Sequence, residues 1–425
     1  MNKQVRQRIG DAISEMPVFN HHEHCWKSFS TDHQQEFDLP SLMTWGYLSD
    51  NFIAAGLRDH LNFDYLSDPS LADGSEKVWS LIAPFLPKVR NTTYYRTLLP
   101  TLRDLFQVDE TDLYCDRWRD ASERIRAYSR ETKGQGAELS ARMRTTCTVL
   151  DAKAGIAPGL PDTVPSEHTL LNVIRLDRFI HEGRGLKMAL EDHPNRDFEG
   201  WMDLFEGLFR QSLDDGANGF KCGLAYNRPL DFGCPSREDA ARIFNRDILV
   251  ASPAEKKTFQ DYMLNRWAEL CVEADVPLQI HAGMTEDIAG ANPTHMTEFL
   301  YKHTELRLDL FHGGYPWSVQ AGLMARNHQN VFIDGCWLHS ISYEGFRQAL
   351  TSWIENVPMN KIFAWGGDHM VLENSYGSLA VARVLVADVL ADLVDRDYFD
   401  EELALEVARC ILHDNGIEFW RLGKQ

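Results

Sequence analysis

Short apolar runs that end in polar residues or glycine recur along the chain, and stretches with helical periodicity separate them. Eight runs show this pattern: MPVFNHH (16–22), TTCTVLDA (145–152), LLNVIRL (170–176), NGFKCGLAY (218–226), VPLQIHAG (276–283), LRLDLFHGG (306–314), NVFIDGCW (330–337) and KIFAWGGD (361–368). Strands that alternate with helices pair in parallel. The pattern therefore predicts an α/β fold, a (β/α)8 TIM barrel.

The segment between the first two runs is too long for a single helix. It contains SEKVWSLIAPFL and NTTYYRTLLPTLRDLF, both with helical periodicity, and residues 91–93 offer N-cap choices for the second. After the eighth run the chain reads as helical to its end, where EELALEVARCILHDNGIEFWRL fits a closing pair of helices. We expect one domain over residues 1–425, with 27–144 a mainly helical insertion over the barrel mouth.

Composition narrows the class of protein. With 44% hydrophobic and 25% charged residues the chain has the balance of a soluble globular protein, and its net charge of −20 disfavours nucleic acid as a partner. The apolar stretch 379–394 contains three charges and is too short to span a membrane. The N-terminus lacks the apolar region of a secretory signal, and the eight cysteines form no C-x-x-C pair. We expect a cytoplasmic protein with free thiols and no membrane partner; its aromatic-rich insertion helices are compatible with a homo-oligomer.

Polar side chains stand where the predicted strands end, and the carboxyl ends of barrel strands form one ring of positions. His22 and His24, two residues apart on a strand, point to the same face. His281, His312 and Asp368 end the fifth, sixth and eighth runs. An H-x-H pair alone is a weak signal, but neutral imidazoles with a carboxylate suit a divalent transition metal. We expect zinc first, with manganese or iron as alternatives, held by His22, His24, His281 and Asp368.

Each of these residues also has a structural interpretation. His281 could be a core histidine bonded to a carbonyl, and Asp368 could cap a helix. With one carboxylate oxygen on a metal, Asp368 could instead take a proton from water with the other. Lys221, within the fourth run, needs a partner if it is buried. Its alternatives, in order, are a cation for a substrate carboxylate or enolate, a carbamate bridging two metals, and a structural ion pair. The metal count, one or two ions, stays open.

The set H-x-H, Lys, His, His, Asp on eight strands resembles the amidohydrolase superfamily. GFKCGLAYNRPL, VPLQIHAG, LFHGGYPW and IFAWGGDHMVLENSYGSLAVARVL resemble in particular the branch that includes the nodulin/FluG-type domain fused to glutamine synthetases. Uronate isomerases are more distant relatives with a similar helical insertion. The resemblance is best from about residue 216 onwards and around His22. The family's first motif usually begins with Asp, and here Asn20 stands in that place.

The resemblance implies roles residue by residue. His22, His24, His281 and Asp368 match the family's metal ligands, and Asp368 also matches the residue that moves protons. His312 matches a histidine that holds a second ion in two-metal members and more often polarises substrate or water in one-metal members. Lys221 matches the position that bridges two metals.

The expected activity is metal-dependent hydrolysis of a C–N or C–O bond, in an amide, lactone or cyclic imide, of a small acidic substrate. Asp368 would shuttle the proton and His312 would steady the oxyanion. Tyr226 and Arg228 could recognise a carboxylate, with an ordinary loop contact as the alternative. Other pocket candidates lie just past strand ends: Trp26, Trp317, Trp337 and His339. Two rival interpretations keep the scaffold: a one-metal isomerase or decarboxylase, and a non-catalytic binding or assembly module.

Overall fold

The computed structural model describes residues 3–30, 36–58, 74–132, 135–152, 168–181 and 185–423. Eight parallel strands follow one another in chain order around a single sheet. They are β1 (Val18–Glu23), β2 (Thr145–Asp151), β3 (Thr169–Ile174), β4 (Gly219–Cys222), β5 (Leu278–His281), β6 (Leu308–Phe311), β7 (Val331–Asp334) and β8 (Ile362–Phe363). Each strand coincides with one predicted run to within a few residues, and the predicted TIM barrel is confirmed.

Backbone hydrogen bonds connect β1 with the segment that follows β8. The Asp368 N–H donates to the His22 carbonyl at 3.0 Å, and the His24 N–H donates to the His369 carbonyl at 3.1 Å. The H-x-H pair and Asp368 are therefore held at a fixed separation by the main chain.

Helices surround the strands and account for most of the remaining described residues. They are α1 (Lys3–Glu15), α2 (Leu39–Thr44), α3 (Leu48–Ala54), α4 (Gly74–Ile82), α5 (Leu86–Val89), α6 (Thr93–Phe106), α7 (Trp118–Glu131), α8 (Gly136–Arg142), α9 (Lys187–Asp192), α10 (Phe198–Asp214), α11 (Arg237–Asp247), α12 (Pro253–Glu273), α13 (Thr297–Lys302), α14 (Ser318–Asn327), α15 (Leu338–Ile341), α16 (Tyr343–Asn356), α17 (Leu372–Asp395), α18 (Glu401–Arg409) and α19 (Asn415–Phe419).

Helices α2 to α8 lie between β1 and β2, and α2 to α7 enclose an apolar cluster in which the rings of Trp79 and Trp118 stack at 4.7 Å. Helix α6 packs closely against α17, because Gly377 on α17 leaves room for the α6 backbone at Thr97. Both helices predicted in this segment are present as α4 and α6, and Thr92 is the N-cap of α6. Residues 31–35, 59–73 and 133–134 of the predicted insertion lie outside the described residues.

The C-terminal helices α18 and α19 form the predicted closing pair, joined by one π-helical turn at Cys410–Asp414. The apolar stretch 379–394 lies within α17. Among the described helices, none combines the length and apolar character that crossing a membrane requires. All eight cysteines are free, as predicted.

Candidate metal centre

Three of the predicted ligands meet where β1 and the segment after β8 come together. The ligand atoms of His22, His24 and Asp368 lie within 4.8 Å of one another. Asp368 Oδ1 is 3.7 Å from His22 Nε2 and 3.4 Å from His24 Nε2. Two imidazole nitrogens and a carboxylate oxygen at this spacing form a ligand set for a divalent transition metal.

Hydrogen bonds fix which nitrogen of two histidines faces Asp368. His24 Nδ1 is 2.9 Å from the Asp151 carbonyl oxygen, and His312 Nδ1 is 3.2 Å from that of Cys336. Because a carbonyl only accepts, both Nδ1 atoms carry the proton. The Nε2 lone pairs then face the Asp368 carboxylate, with His312 Nε2 4.0 Å from Oδ2. Lone pairs that face a carboxylate need a cation or a proton between them.

The surroundings oppose protonation of the buried rings. Burial lowers the pKa of His22 to about 4, and it lowers the pKa of His312 well below the usual value. His22 Nε2 makes no hydrogen bond to any described residue. Because neutral imidazole is the form that binds a metal, these residues fit a divalent ion.

Backbone conformation marks the same region. His312, Trp337 and Asp368 have φ angles of 62°, 63° and 58°, in the left-handed region that residues other than glycine rarely adopt. They lie just past the ends of β6, β7 and β8, which are neighbours in the barrel. Such strained positions cluster at functional sites, where the surrounding structure enforces them.

His281 differs from the other predicted ligands. Its Nε2 lies 3.1 Å from the Met284 carbonyl, so this nitrogen carries the proton. Its ring centre is 4.4 Å from that of His312, but His281 is not part of the group formed by His22, His24 and Asp368. His281 therefore lies beside the centre and offers Nδ1 as its acceptor.

Lys221 lies on β4 and is only 1% exposed. Its Nζ is 3.1 Å from the centre of the Phe311 ring and makes no hydrogen bond within the described part of the chain. Burial and the nearby Arg175 cation lower the pKa of Lys221 to about 8. Lys221 therefore remains mostly protonated at neutral pH, as the first of the three alternatives requires.

Sequence analysis missed three residues at this site. Asp151 Oδ2 is 3.5 Å from His22 Nε2 and 2.6 Å from the Arg175 guanidinium. Tyr47, from the insertion, donates its hydroxyl hydrogen to Asp368 Oδ2. Asp151 and Arg175 stand at the ends of the second and third runs, so their positions carried the same signal as Asp368. For Tyr47 the sequence contains no comparable signal.

The structure does not favour substrate contacts for two of the predicted residues. Arg228 is 9% exposed, and its guanidinium is 2.7 Å from Asp261 Oδ1, so it is held in a buried ion pair. His339 is completely buried, with Nε2 2.6 Å from Ser378 Oγ. In both cases the polar group of the side chain already interacts with another side chain of the protein, which leaves it less available to a substrate.

The other four residues predicted to line the pocket are aromatic, and they differ in their contacts with the histidines of the site. Tyr226 is 51% exposed, and its ring centre is 4.2 Å from that of His281. The Trp337 ring is 5.0 Å from that of His312. Trp26 is partly buried against the main core, and Trp317 is partly buried directly before α14. Among these four predicted residues, Tyr226 and Trp337 are therefore the two whose rings contact a histidine at or beside the centre.

Comparison with known proteins agrees with this geometry. A family model described as amidohydrolase matches residues 241–422. Protein fluG of Emericella nidulans is 26% identical over 246 residues, which cover 54% of this chain and 28% of that protein. This chain therefore spans less than a third of the length of fluG.

Two solved structures share the architecture along nearly the whole chain. The uronate isomerase of Thermotoga maritima superposes with a TM-score of 0.78 at 14% identity, over 98% of this chain and 97% of that one. The glucuronate isomerase of Caulobacter crescentus gives 0.74 at 16% identity, over 100% and 95%. At such identities the likeness establishes the fold alone. The family match contains His281, His312 and Asp368, and it confirms that this chain resembles the amidohydrolase superfamily.

Proposed function

We propose that this protein is a metal-dependent hydrolase that cleaves a C–N or C–O bond in a small, carboxylate-bearing substrate. The observation that carries the proposal is the convergence of ligand atoms from His22, His24 and Asp368 within 4.8 Å of one another. These three side chains would hold the ion. When bound, a divalent ion polarises a carbonyl and lowers the pKa of water towards neutrality.

Asp368 is the proposed proton carrier. Asp368 acts as a carboxylate here, because its Oδ2 accepts the Tyr47 hydroxyl hydrogen and a bound cation would favour its charged form. The Tyr47 hydroxyl orients its second oxygen, Oδ2. The oxygen of water attacks the substrate carbonyl, its proton passes to Asp368, and Asp368 returns the proton to the nitrogen or oxygen that leaves.

The predicted oxyanion role of His312 requires an N–H group that points into the site. The Nδ1 proton of His312 instead goes to the Cys336 carbonyl, and the Nε2 lone pair faces Asp368. We therefore assign His312 as a proton acceptor or an additional ligand. Stabilisation of the oxyanion then falls to the Lys221 ammonium group, and an ion held by His22, His24 and Asp368 would add its positive charge.

Two cations at the barrel mouth support an acidic substrate. The Arg175 side chain is 18% exposed and pairs with Asp151, and the Lys221 ammonium group makes no hydrogen bond to a described residue. We assign to Arg175 the carboxylate-binding role predicted for Arg228, because the Arg175 side chain is more exposed (18% against 7%) and its partner Asp151 lies 3.5 Å from His22 Nε2. Amides, lactones and cyclic imides that carry a carboxylate are the substrate class.

A second candidate is an isomerase that moves a proton between adjacent carbons of a hydroxy-carbonyl acid. The observation that favours it is the hydrogen bond between Tyr47 and Asp368, which places an acid and a base side by side. A decarboxylase could use the same pair. The fold shared with uronate isomerases agrees with this candidate but does not distinguish it from a hydrolase.

One experiment separates these functions. Protein loaded with zinc or manganese is screened against carboxylated amides, lactones and imides, and against uronates, in H2(18)O and in D2O. Hydrolysis predicts one solvent oxygen in the acid product and no deuterium on carbon, with activity lost in Asp368→Asn. Deuterium on carbon without bond cleavage would instead identify the isomerase. If metal-loaded protein turned over none of these classes, the enzymatic proposal would be contradicted.

A further inference from the structure

Gln279 on β5 connects the proposed metal centre with the barrel interior, and its side chain is completely buried. Its amide nitrogen lies 3.1 Å from the His21 carbonyl oxygen and 2.9 Å from Asp309 Oδ2. Its amide oxygen lies 3.0 Å from His22 Nδ1. Both N–H groups of this amide and one of the two acceptor directions of its oxygen are therefore used within the protein.

The polarity of these contacts follows from one backbone group. A carbonyl oxygen only accepts, so the atom of Gln279 that faces the His21 carbonyl must be the NH2 nitrogen. The oxygen of the same amide then faces His22. Because an amide oxygen only accepts, His22 Nδ1 must carry a proton, and in the neutral ring Nε2 is left with its lone pair.

We infer that Gln279 is a positioning residue, which fixes His22 in the Nδ1-protonated tautomer and thereby presents Nε2 to the metal. The inference rests on the metal centre proposed above and is independent of the reaction. His24 and His312 are held in the same tautomer by backbone carbonyls. His22 is held by the side chain of Gln279, so a substitution of Gln279 can change the tautomer of His22.

A buried chain of acidic groups holds Gln279 in turn. Asp309 on β6 accepts from the Gln279 amide and interacts with Asp334 at the end of β7. Asp334 Oδ1 accepts from the Cys336 N–H at 2.6 Å. The Cys336 carbonyl accepts from His312, so the segment after β7 orients both His312 and, through three side chains, His22.

The test compares two substitutions of Gln279, of which only one keeps an acceptor towards His22. Gln279→Met keeps the length of the side chain but removes the acceptor. Gln279→Glu keeps an acceptor towards His22 and, as the protonated acid that burial between two acceptors favours, one donor towards Asp309 or the His21 carbonyl. Thr148→Val is the control, because Thr148 is buried on β2 and its hydroxyl has no hydrogen-bond partner among the described residues. Zinc affinity is measured by competition with a chelator, and the His22 tautomer by 15N NMR of the metal-free protein, assigned with His22→Asn.

We expect Gln279→Met to weaken zinc binding about 10- to 100-fold, as loss of a partner of a metal ligand typically does. Gln279→Glu should stay within a few-fold of the wild type, and Thr148→Val should match it. The metal-free wild type should show the proton on His22 Nδ1. A proton on Nε2, or unchanged zinc affinity in folded Gln279→Met, would overturn the inference.

The two proposals fail in different ways. Absence of zinc binding by the wild type would remove the proposed function, while the tautomer of the metal-free protein would still decide the role of Gln279. If Gln279→Met does not fold, the decision falls to the wild-type spectrum and to Gln279→Glu. Loss of zinc affinity in folded Gln279→Glu would then count against the acceptor role.

Discussion

At the scale of single residues, the site is defined by hydrogen bonds made away from it. His22, His24 and His312 each commit Nδ1 to an acceptor and leave Nε2 towards Asp368. Sequence spacing predicted His22, His24 and Asp368 as neighbours, because strand ends in a barrel must meet. It could not predict the tautomers, since these depend on carbonyl groups of other strands.

The first prediction concerns Tyr47, whose hydroxyl contacts Asp368 Oδ2, whereas Oδ1 faces His22 and His24. Tyr47→Phe should leave zinc affinity within a few-fold of the wild type but lower kcat about 10- to 100-fold, because the proton carrier loses its orienting partner. The measurements are zinc competition and steady-state kinetics on the substrate found by the screen. Equal kcat in the variant and the wild type would contradict this role.

The second prediction concerns the pH dependence of stability. His21 stacks on Phe363 at 4.0 Å between ring centres, and burial lowers its pKa to about 3. Since the unfolded ring titrates near 6.5, the stability contributed by neutral His21 is present above about pH 6.5 and is lost as pH falls towards 3. Between pH 7 and pH 5 this loss is about 2 kcal/mol.

The variant His21→Phe removes this titration while keeping an aromatic ring in the stack. Urea unfolding of the metal-free protein at pH 7 and pH 5 should show a drop in the free energy of unfolding that is about 2 kcal/mol smaller in the variant. Taking the difference between two pH values cancels any packing change that is independent of pH. The same drop in both proteins would show that His21 is not buried as a neutral ring.

At the scale of elements, β1 and the segment after β8 form one unit. Asn20 donates to Glu23 Oε1 at 2.8 Å and accepts from the Gly367 N–H at 3.1 Å. Glu23 Oε2 accepts from the His369 N–H at 2.8 Å. Asn20, which replaces the usual Asp of the family motif, therefore connects the strand of the H-x-H pair with the segment that carries Asp368.

The third prediction follows from the crowding of this unit. A methyl group on Gly367 would overlap the Glu23 carboxylate, which is fixed by Asn20 and His369. Gly367→Ala should lower the free energy of unfolding by about 1–3 kcal/mol and weaken zinc binding, because Asp368 is displaced. Chemical denaturation and zinc competition provide the measurements.

Gly207→Ala is the matched control for this prediction. Gly207 is exposed on α10, and a methyl group there would contact nothing within 4 Å. The control should gain about 0.5–1 kcal/mol from helix propensity and keep its zinc affinity. Equal behaviour of Gly367→Ala and the control would show that the contact between β1 and the β8 segment is unimportant.

The elements also show where sequence reasoning stops. The eight strands were predictable because each is a short apolar run that ends in a polar residue or glycine, and Asp151 and Arg175 could have been found by the same rule. Tyr47 could not, since it reaches Asp368 only through the packing of α2 to α8 on the barrel. The ion pair of Arg228 was not predictable from the sequence, because its partner, Asp261, lies 33 positions away on α12.

At the scale of the whole molecule, the described part of the insertion has a hydrophobic cluster separate from that of the barrel. Polar contacts connect the two at several points, among them Tyr47 to Asp368 and Thr101 Oγ1 to the Glu373 carbonyl at 2.8 Å. Separate clusters of this kind commonly open as separate units. Through Tyr47, the insertion thus touches the proposed centre.

The fourth prediction is that the insertion opens before the barrel. In native-state hydrogen exchange, amides of α4 and α7 should exchange faster than those of β5 and β6. Trp79→Ala removes the stack on Trp118 and should accelerate exchange in α4 and α7 while leaving β5 unchanged. An equal acceleration in β5 would show that insertion and barrel unfold as one unit.

The measurement that tests the central claim most directly is the metal content per chain. Elemental analysis of protein purified without chelators and loaded with zinc or manganese should find about one ion per chain, because the described residues bring together one ligand group. His22→Asn and His24→Asn should lose it, and His328→Gln, remote from the barrel mouth, should keep it. The account would be contradicted if the wild type held no metal after loading, or if His24→Asn had the same metal content as the wild type.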